Sequence, residues 1–476
     1  MQSLVVWIEK ANDAVNSFVW GPPMLVLLLF TGIYMTVRTG FFQITRFRHV
    51  LDNTILAIFR DRKVVRTKDK KAISQFQALS TALAATIGTG NIVGVATAIV
   101  AGGPGAVFWM WVSAFFGMMT NYSENVLGIF YRKKNEKGEW AGGPMMYLEK
   151  GLHAKWLAVI FSIFCLVASF GIGNIAQINS ISTALYASLH IPTWVTGLLV
   201  ASMVAVVILG GIKRIASVTE KIVPFMALVY IAGALAIIII NFHGIPHAFF
   251  LIFSGAFSMK AVGGGVFGFV MAQAIRYGLA RGVFSNEAGL GSSVMVHSSS
   301  DVKEPVRQGI WGIFEVFVDT IIVCTLTALV ILTTGVPLDG SLKGAELTMA
   351  AYSHGFGAAG GVFTSVAILL FAFSTILGWS FYGQRAAEYL GGIKIVPVYK
   401  LVFVTVVLIG AMSSVQLVWD LSDTFNGLMA LPNLIGVLGL SPVVIKITKN
   451  YLDRTFHHAD TAPLLSFHSE EKDGRE

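Results

Sequence analysis

The sequence predicts an all-α polytopic membrane protein with about eleven transmembrane helices. Three observations carry that reading. First, 55% of the 476 residues are hydrophobic, only 13% are charged, and the mean hydropathy is +0.71. Soluble domains carry about 25% charged residues. A water-soluble fold cannot hide this much apolar surface, so lipid must act as part of the solvent. Second, the apolar residues fall in runs near the ~20 residues that a bilayer requires. Third, Lys and Arg gather in alternate loops between those runs. The 49 glycines point the same way, because membrane helices use glycine to bring backbones close.

Taken in order, the spans centre near Leu28, Asn91, Phe115, Val167, Ala201, Val229, Ile275, Val323, Ala372, Val404 and Asn433. Met1 to Trp20 lacks the basic start of a cleavable signal, with Lys10 its only basic residue. The run Pro22 to Val37 is followed by Arg38 and reads as a retained span. Arg38 to Lys71 carries ten basic residues against Asp52, Asp61 and Asp69, so it belongs in the cytoplasm and the N-terminus outside. Ala101 to Gly105 is uncharged and falls outside. Arg132, Lys133, Lys134, Lys137, Lys150 and Lys155 hold the next loop inside. Lys213, Arg214, Arg307, Arg385, Lys394 and the tail from Lys446 also fall inside. Asn241 to Gly265, with the single basic residue Lys260, falls outside. The alternation holds at every step for a multi-pass protein of the cell inner membrane with a cytoplasmic C-terminus. Topology thus accounts for the net charge of +8, and the scattering of the charges argues against nucleic acid.

This divides the chain into an extra N-terminal transmembrane helix (1–40), a basic cytoplasmic loop (41–74) and a first group of five helices (75–242). An outer-surface segment (243–263), a second group of five (264–448) and a cytoplasmic, disordered tail (449–476) follow. Pro246 interrupts the apolar stretch His243 to Phe257, which suits a helix lying on the outer surface. Gly142 to Leu152 suits an interfacial helix on the inner side.

Two spans depart from plain Leu, Ile, Val and Phe. Thr81 to Val100 sets Gly88, Gly90 and Gly94 around Thr86, Thr89 and Asn91. Ala272 to Ser292 sets Gly278, Gly282 and Gly289 beside Arg276, Arg281, Asn286 and Glu287. Each opens one of the two groups of five. Glycine-interrupted segments at matching places in two halves point to a transporter site at the bilayer midplane. An unwound helix frees amides and carbonyls that lipid cannot satisfy, so they must line a cavity or a ligand. Amides at a half-helix N-terminus suit a carboxylate, and freed carbonyls suit a small cation. The competing reading is close helix packing, with Gly90 and Gly94 as a small-xxx-small pair.

The run GTGNIVGVATAIVAGGPGAVFWMWVSAFFGM (Gly88 to Met118) resembles the alanine/glycine:cation symporter family. So do GGPMMY (Gly142 to Tyr147), FSNEAGLGS (Phe284 to Ser292) and RTGFFQ (Arg38 to Gln43). The resemblance runs from the first span to Pro442. It implies a leucine-transporter-like 5+5 inverted repeat preceded by one extra helix, and sodium- or proton-coupled carriage of an amino acid. It further implies Thr89, Gly90, Gln177, Phe284 and Trp379 as substrate residues. For sodium it implies the carbonyls of Ala84 and Ile87 with the hydroxyls of Ser374 and Thr375, an all-oxygen set suited to a hard cation. Asn91 would ligate a second cation or brace the break. Gln177 would otherwise link helices, Trp379 serve as a core aromatic, and Ser374 and Thr375 bond their own helix.

Glu124, Glu287, Glu315 and Asp319 are intramembrane acids, which are functional by default. Glu315 and Asp319 share a helix face and would pair with Arg276 or Arg281, or carry a proton. Cys165 and Cys324 read as packing residues. The histidines show no metal spacing, and no catalytic set is present, so an enzyme is not expected. Polarity confined to two breaks disfavours a channel. The expected partners are an amino acid, sodium as coupling ion and membrane lipid, with no nucleic acid, no obligate protein and no cofactor. Alanine or glycine is the expected substrate, and a larger amino acid such as glutamine is the rival.

Overall fold

The structure is a computed structural model and describes residues 2–257, 266–413 and 416–466. Its regular structure is helical apart from a small hairpin pairing Lys133–Lys134 with Trp140–Ala141. Among the described residues, six helices are long and apolar enough to cross a membrane: 7–38, 155–189, 211–240, 305–333, 358–391 and 393–410. Two further spans are bent pairs, 75–86 with 90–102 (49°) and 420–439 with 441–456 (57°). The remaining expected centres, Phe115, Ala201 and Ile275, lie in the helices Ala106–Tyr131, Thr193–Leu209 and Val266–Asn286. The first of these carries the polar run Thr120 to Asn125, and the second has only 17 residues.

Burial explains why lipid is needed. Leu209, Leu228, Ile239 and Leu401 are each at least two-thirds exposed, on helices rich in aliphatic residues. Water would penalise those faces, whereas hydrocarbon solvates them. Inside, one apolar cluster gathers around Phe161, Trp379, Phe381 and Phe403, and another around Ile92, Trp311, Tyr352 and Phe371. A third joins Val19, Trp20, Leu25 and Leu28 to Leu279, Val283 and Leu434. The N-terminal region is therefore fastened to the helix Val266–Asn286.

The N-terminal span 7–38 changes helix at Gly21, where Gln2–Val19 gives way to Pro22–Arg38, because Pro22 and Pro23 cannot continue the first ladder and instead start a second. Two expectations need correction. The segment at Gly142 to Leu152 is no surface helix. Pro144–Lys150 buries Pro144 through Leu148, and the Tyr147 hydroxyl donates to Asn433. The boundary at 448/449 cuts an intact helix, Ser441–Phe456, whose face Val444, Ile447, Thr448 and Tyr451 is buried. The following residues fold back, with the Leu464 amide on Asn450 Oδ1 (3.3 Å) and the Ser466 amide on the Lys303 carbonyl (3.1 Å). The rest of the expected tail, 467–476, lies outside the described residues, as do Lys260 and the start of the second group of five. The basic loop 41–74 holds four short helices between Phe42 and Val65, and buried Phe42 stacks on Tyr122 at 5.4 Å.

Candidate functional site

The first broken span begins with a capping box: Ser74 Oγ accepts from the Gln77 amide and Gln77 Oε1 from the Ser74 amide, both at 3.1 Å. The helix Gln75–Thr86 ends where Ile87 turns to ψ 89°. The Gly88 amide is caught by Asn91 Oδ1 at 2.9 Å, and Gly90–Gly94 forms a π-helical turn. Asn91 therefore braces the break, and its Nδ2 donates to Asp319 Oδ1 at 2.7 Å. Gly90 packs against Phe284 and Ser285, and Gly94 faces open space, so the two do not act as a packing pair.

The second break lies later than the glycines suggest. The helix Val266–Asn286 runs unbroken through Gly278 and Gly282, which pack against Ala106 and Trp109 and against Ser113 and Met110. The chain turns at Glu287 (φ 56°), Gly289 (φ 97°) and Gly291 (φ 75°). A non-glycine residue in the left-handed region is strained and clusters at functional sites. Asn286 holds this turn, accepting from the Ala288 amide at 3.0 Å and donating to Thr320 Oγ1 at 3.1 Å. Ser285 Oγ donates to Asp319 Oδ2 at 2.8 Å. One buried carboxylate thus receives a donor from each break.

Between the breaks is a closed cavity of about 20 Å³, lined by Thr89, Gly90, Gln177, Phe284 and Trp379. All five expected substrate residues are brought together there. A water needs about 10–15 Å³ by this measure, so the cavity has room for one. The sequence reading missed Glu287 and Asn426 as further lining residues. It also missed a π-helical turn at Gly171–Ile175 in the fourth span, signalled by the motif GIGN. That turn frees the Ile172 carbonyl to accept from Gln177 Nε2 at 3.0 Å. Gln177 Oε1 is buried without a hydrogen-bond partner, as is Asn426 Oδ1. Such unpaired oxygens are costly unless a ligand or water satisfies them.

Gly173 explains how Trp379 reaches the cavity. A Cβ on Gly173 would lie within 2.5 Å of the Trp379 ring carbon Cγ. Gly173→Ala is therefore expected to displace the indole, lowering substrate affinity at least roughly tenfold, as 1–3 kcal/mol of overpacking would. Measured binding equal to that of the parent protein would refute this.

The expected cation residues occupy neighbouring stretches. A Cβ on Gly378 would meet Ala85 Cβ at 2.6 Å, and one on Gly88 would meet Thr375 Oγ1 more closely still. Thr375 also lines the cavity. Ser374 Oγ and Thr375 Oγ1 both donate to the Phe371 carbonyl, at 2.8 and 3.0 Å. Ala84, Ile87, Ser374 and Thr375 are all buried.

The acids do not find the arginines. Arg281 faces Asp423 at 3.8 Å, because it lies a full turn before Ser285, the residue that reaches Asp319. Asp319 instead takes Asn91, Ser285 and Thr320. Glu124 takes Asn433 (2.5 Å) and the Gly289 amide (3.0 Å), and Glu287 takes Ser292 (2.5 Å). Glu315 Oε2 pairs with His297 Nε2 at 2.9 Å, and His297 Nδ1 meets Gln308 Nε2 at 2.6 Å. His297 escaped the sequence reading because its partner Glu315 lies 18 residues on, in another helix.

On the face bearing the basic loop, residues 298–302 leave the short helix Val294–His297 through a turn and are held from both flanks. The Ile73 amide donates to the Ser299 carbonyl (3.1 Å) and the Asp301 amide to the Ile73 carbonyl (2.8 Å). On the other flank the Arg132 guanidinium donates to the carbonyls of Ser298 (3.0 Å), Ser300 (2.6 Å) and Val302, and stacks 4.1 Å from Trp140.

The sequence pattern described as the sodium:alanine symporter family matches residues 5–463. The chain belongs to that family. It is similar to the sodium/alanine symporter AgcS of Methanococcus maripaludis, with 49% identity over 446 residues, covering 92% of this chain and 96% of AgcS. It is also similar to the probable sodium/glutamine symporter GlnT of Bacillus subtilis, with 37% identity over 446 residues, covering 93% and 91%. Among solved structures it resembles MhsT in complex with L-phenylalanine, with a TM-score of 0.52 at 12% identity, covering 80% and 99%. That likeness shows the fold, the leucine-transporter type. The family and these relatives are transporters, so the chain is a multi-pass membrane protein of amino-acid symport.

Proposed function

We propose that this symporter couples sodium influx to uptake of a small neutral amino acid, alanine or glycine, by alternating access around the closed cavity. The observation that carries the reading is the cavity itself, which collects groups from both helix breaks and closes to about the size of one water. Thr89 and Gly90 offer backbone and hydroxyl groups to the substrate carboxylate. Gln177, with its unpaired Oε1, accepts from the ammonium. Phe284 and Trp379 wall the side-chain end, and their bulk favours a short side chain. The name of AgcS agrees with this, and GlnT is the less similar of the two relatives.

Sodium binds the carbonyls of Ala84 and Ile87 and the hydroxyls of Ser374 and Thr375. A hydroxyl that ligates a cation must send its proton elsewhere, and both donate to the Phe371 carbonyl. Their lone pairs remain free for a hard ion. Asn91 acts as a brace. Gly88 joins the two sites by its contact with Thr375, so occupancy of either favours the other. The protein sits in the cell inner membrane with the N-terminus outside and the basic face cytoplasmic. One extra helical region precedes two inverted groups of five.

The test is uptake of labelled alanine, glycine and glutamine into vesicles with and without a sodium gradient. Alanine or glycine uptake should require sodium and survive a protonophore. Loss of uptake with the protonophore alone, or a preference for glutamine, overturns the proposal. Trp379→Ala should change substrate preference more than sodium dependence. Equal loss of both at normal protein abundance counts against its place in the wall.

A further inference from the structure

We propose a second binding site for the amino-acid zwitterion, one helical turn outside the closed cavity, formed chiefly by Arg281 and Asp423. The inference rests on the amino-acid reading above. A cleft of about 210 Å³ lies between the N-terminal helix Gln2–Val19, the helix Val266–Asn286 and the helix Gln416–Gly439. It has about ten times the volume of the closed cavity. Its position follows from helix spacing. Arg281 lines the cleft and Phe284, three residues on, lines the cavity. Asp423 lines the cleft and Asn426, three residues on, lines the cavity. Three residues make just under one turn, so the cleft adjoins the cavity along both helices.

The chemistry of the cleft is that of an unfinished ion pair. Arg281 Nη1 and Asp423 Oδ1 are 3.8 Å apart, well beyond the 2.7–2.9 Å of a charge-assisted hydrogen bond. Both Arg281 Nε and Asp423 Oδ1 are buried without a hydrogen-bond partner. Each charge is held back by other contacts. The Arg281 guanidinium lies 5.2 Å from the Phe284 ring centre. Asp423 Oδ2 accepts from Asn16 Nδ2 at 3.2 Å, and its backbone carbonyl accepts from the Trp20 indole at 3.2 Å. A charged pair kept apart and partly out of water costs free energy that a ligand can recover. A zwitterion supplies both missing partners, its carboxylate for Arg281 and its ammonium for Asp423. Molecules carrying only one charge satisfy one side and leave the other unpaired. The cleft thus selects for amino acids before the cavity opens, and the N-terminal helix, through Asn16 and Trp20, sets the position of its acid.

The test uses the full-length protein with Asp13→Cys. Asp13 is exposed at the rim of the cleft, and the native thiols Cys165 and Cys324 are buried. Labelling by a membrane-impermeant maleimide is followed in sodium-free buffer, where the sodium-coupled cavity is not loaded. Alanine should slow labelling at millimolar concentration, and propionate and ethylamine should not. Arg281→Gln or Asp423→Asn should raise the alanine concentration needed by about tenfold, the loss expected for one charge-assisted contact. Where Arg281→Gln fails to reach the membrane, Arg281→Lys replaces it and should also weaken protection, because it loses the forked geometry. The proposal is overturned if alanine gives no protection without sodium, if propionate or ethylamine protects equally, or if both variants are protected like the parent. Sodium-driven alanine uptake is read on the same vesicles. Its absence sinks the transport reading, whereas uptake without cleft protection sinks only the second site.

Discussion

Replacing Asp319 by leucine should abolish uptake and lower the protein's abundance in the membrane. Asp319 is fully buried and receives Asn91 at 2.7 Å, Ser285 at 2.8 Å and Thr320 at 2.7 Å. Leucine would take the carboxylate from the Asn91 amide and the Ser285 hydroxyl, leaving Asn91 the Asp319 backbone carbonyl at 3.2 Å and both donors the weak acceptor Cys324 Sγ at 3.4 and 3.3 Å. Each lost bond to the carboxylate is worth about 1.5–3 kcal/mol, and stability totals only about 5–15 kcal/mol. The damage is also specific in place. Asn91 holds the first break through the Gly88 amide, and Ser285 lies one residue before Asn286, which holds the second. Both unwound segments would lose their common anchor. Asp319→Asn keeps one carbonyl oxygen and the side-chain shape, so it should preserve abundance while lowering uptake at least tenfold, about 1.4 kcal/mol. Uptake and thermal stability of both variants in detergent decide the matter. A leucine variant with ordinary uptake would remove Asp319 from any role at the breaks.

Arg132→Ala is expected to open the basic face. The guanidinium is buried and is the shared donor for three carbonyls of the segment 298–302. That segment also pairs with Ile73, two residues before the first broken span begins. Under alternating access, the basic face can open only if this pairing separates. Without Arg132 three buried carbonyls lose a charged donor, each such bond being worth about 1.5–3 kcal/mol. Water satisfies them in an open state, so the closed state loses relative to the open one. A cysteine placed at Ser300 should then react faster with a maleimide applied from the basic side, and net uptake should fall at least tenfold, about 1.4 kcal/mol. Arg132→Lys should fall short of rescue, because a compact ammonium does not span carbonyls two residues apart or stack on Trp140. Ordinary uptake together with unchanged labelling of Ser300→Cys would show the clamp to be ornamental to transport.

The sequence by itself determined the class of protein, the position of the first helix break and five residues of the cavity, and it set the second break too early, at glycines that the helix runs through. Thr89, Gly90, Gln177, Phe284 and Trp379 were legible because family motifs carry them and because polar residues beside glycine stand out in apolar runs. Glu287 and Asn426 were visible as polar residues, but nothing along the chain said that they face the same space. Only the tertiary structure decided the pairings. It gave the acids to Asn91, Ser285, Asn433 and His297 in place of the expected arginines, and it turned Arg132 from a topology signal into a clamp. It also showed that the helix Gln2–Val19 reaches Asp423 across 407 positions. The physical reason is common to all of these. Hydropathy and backbone propensity are local and repeat along the chain, whereas a buried donor and its acceptor are matched by distance alone, and a single sequence records no distances between residues far apart in it.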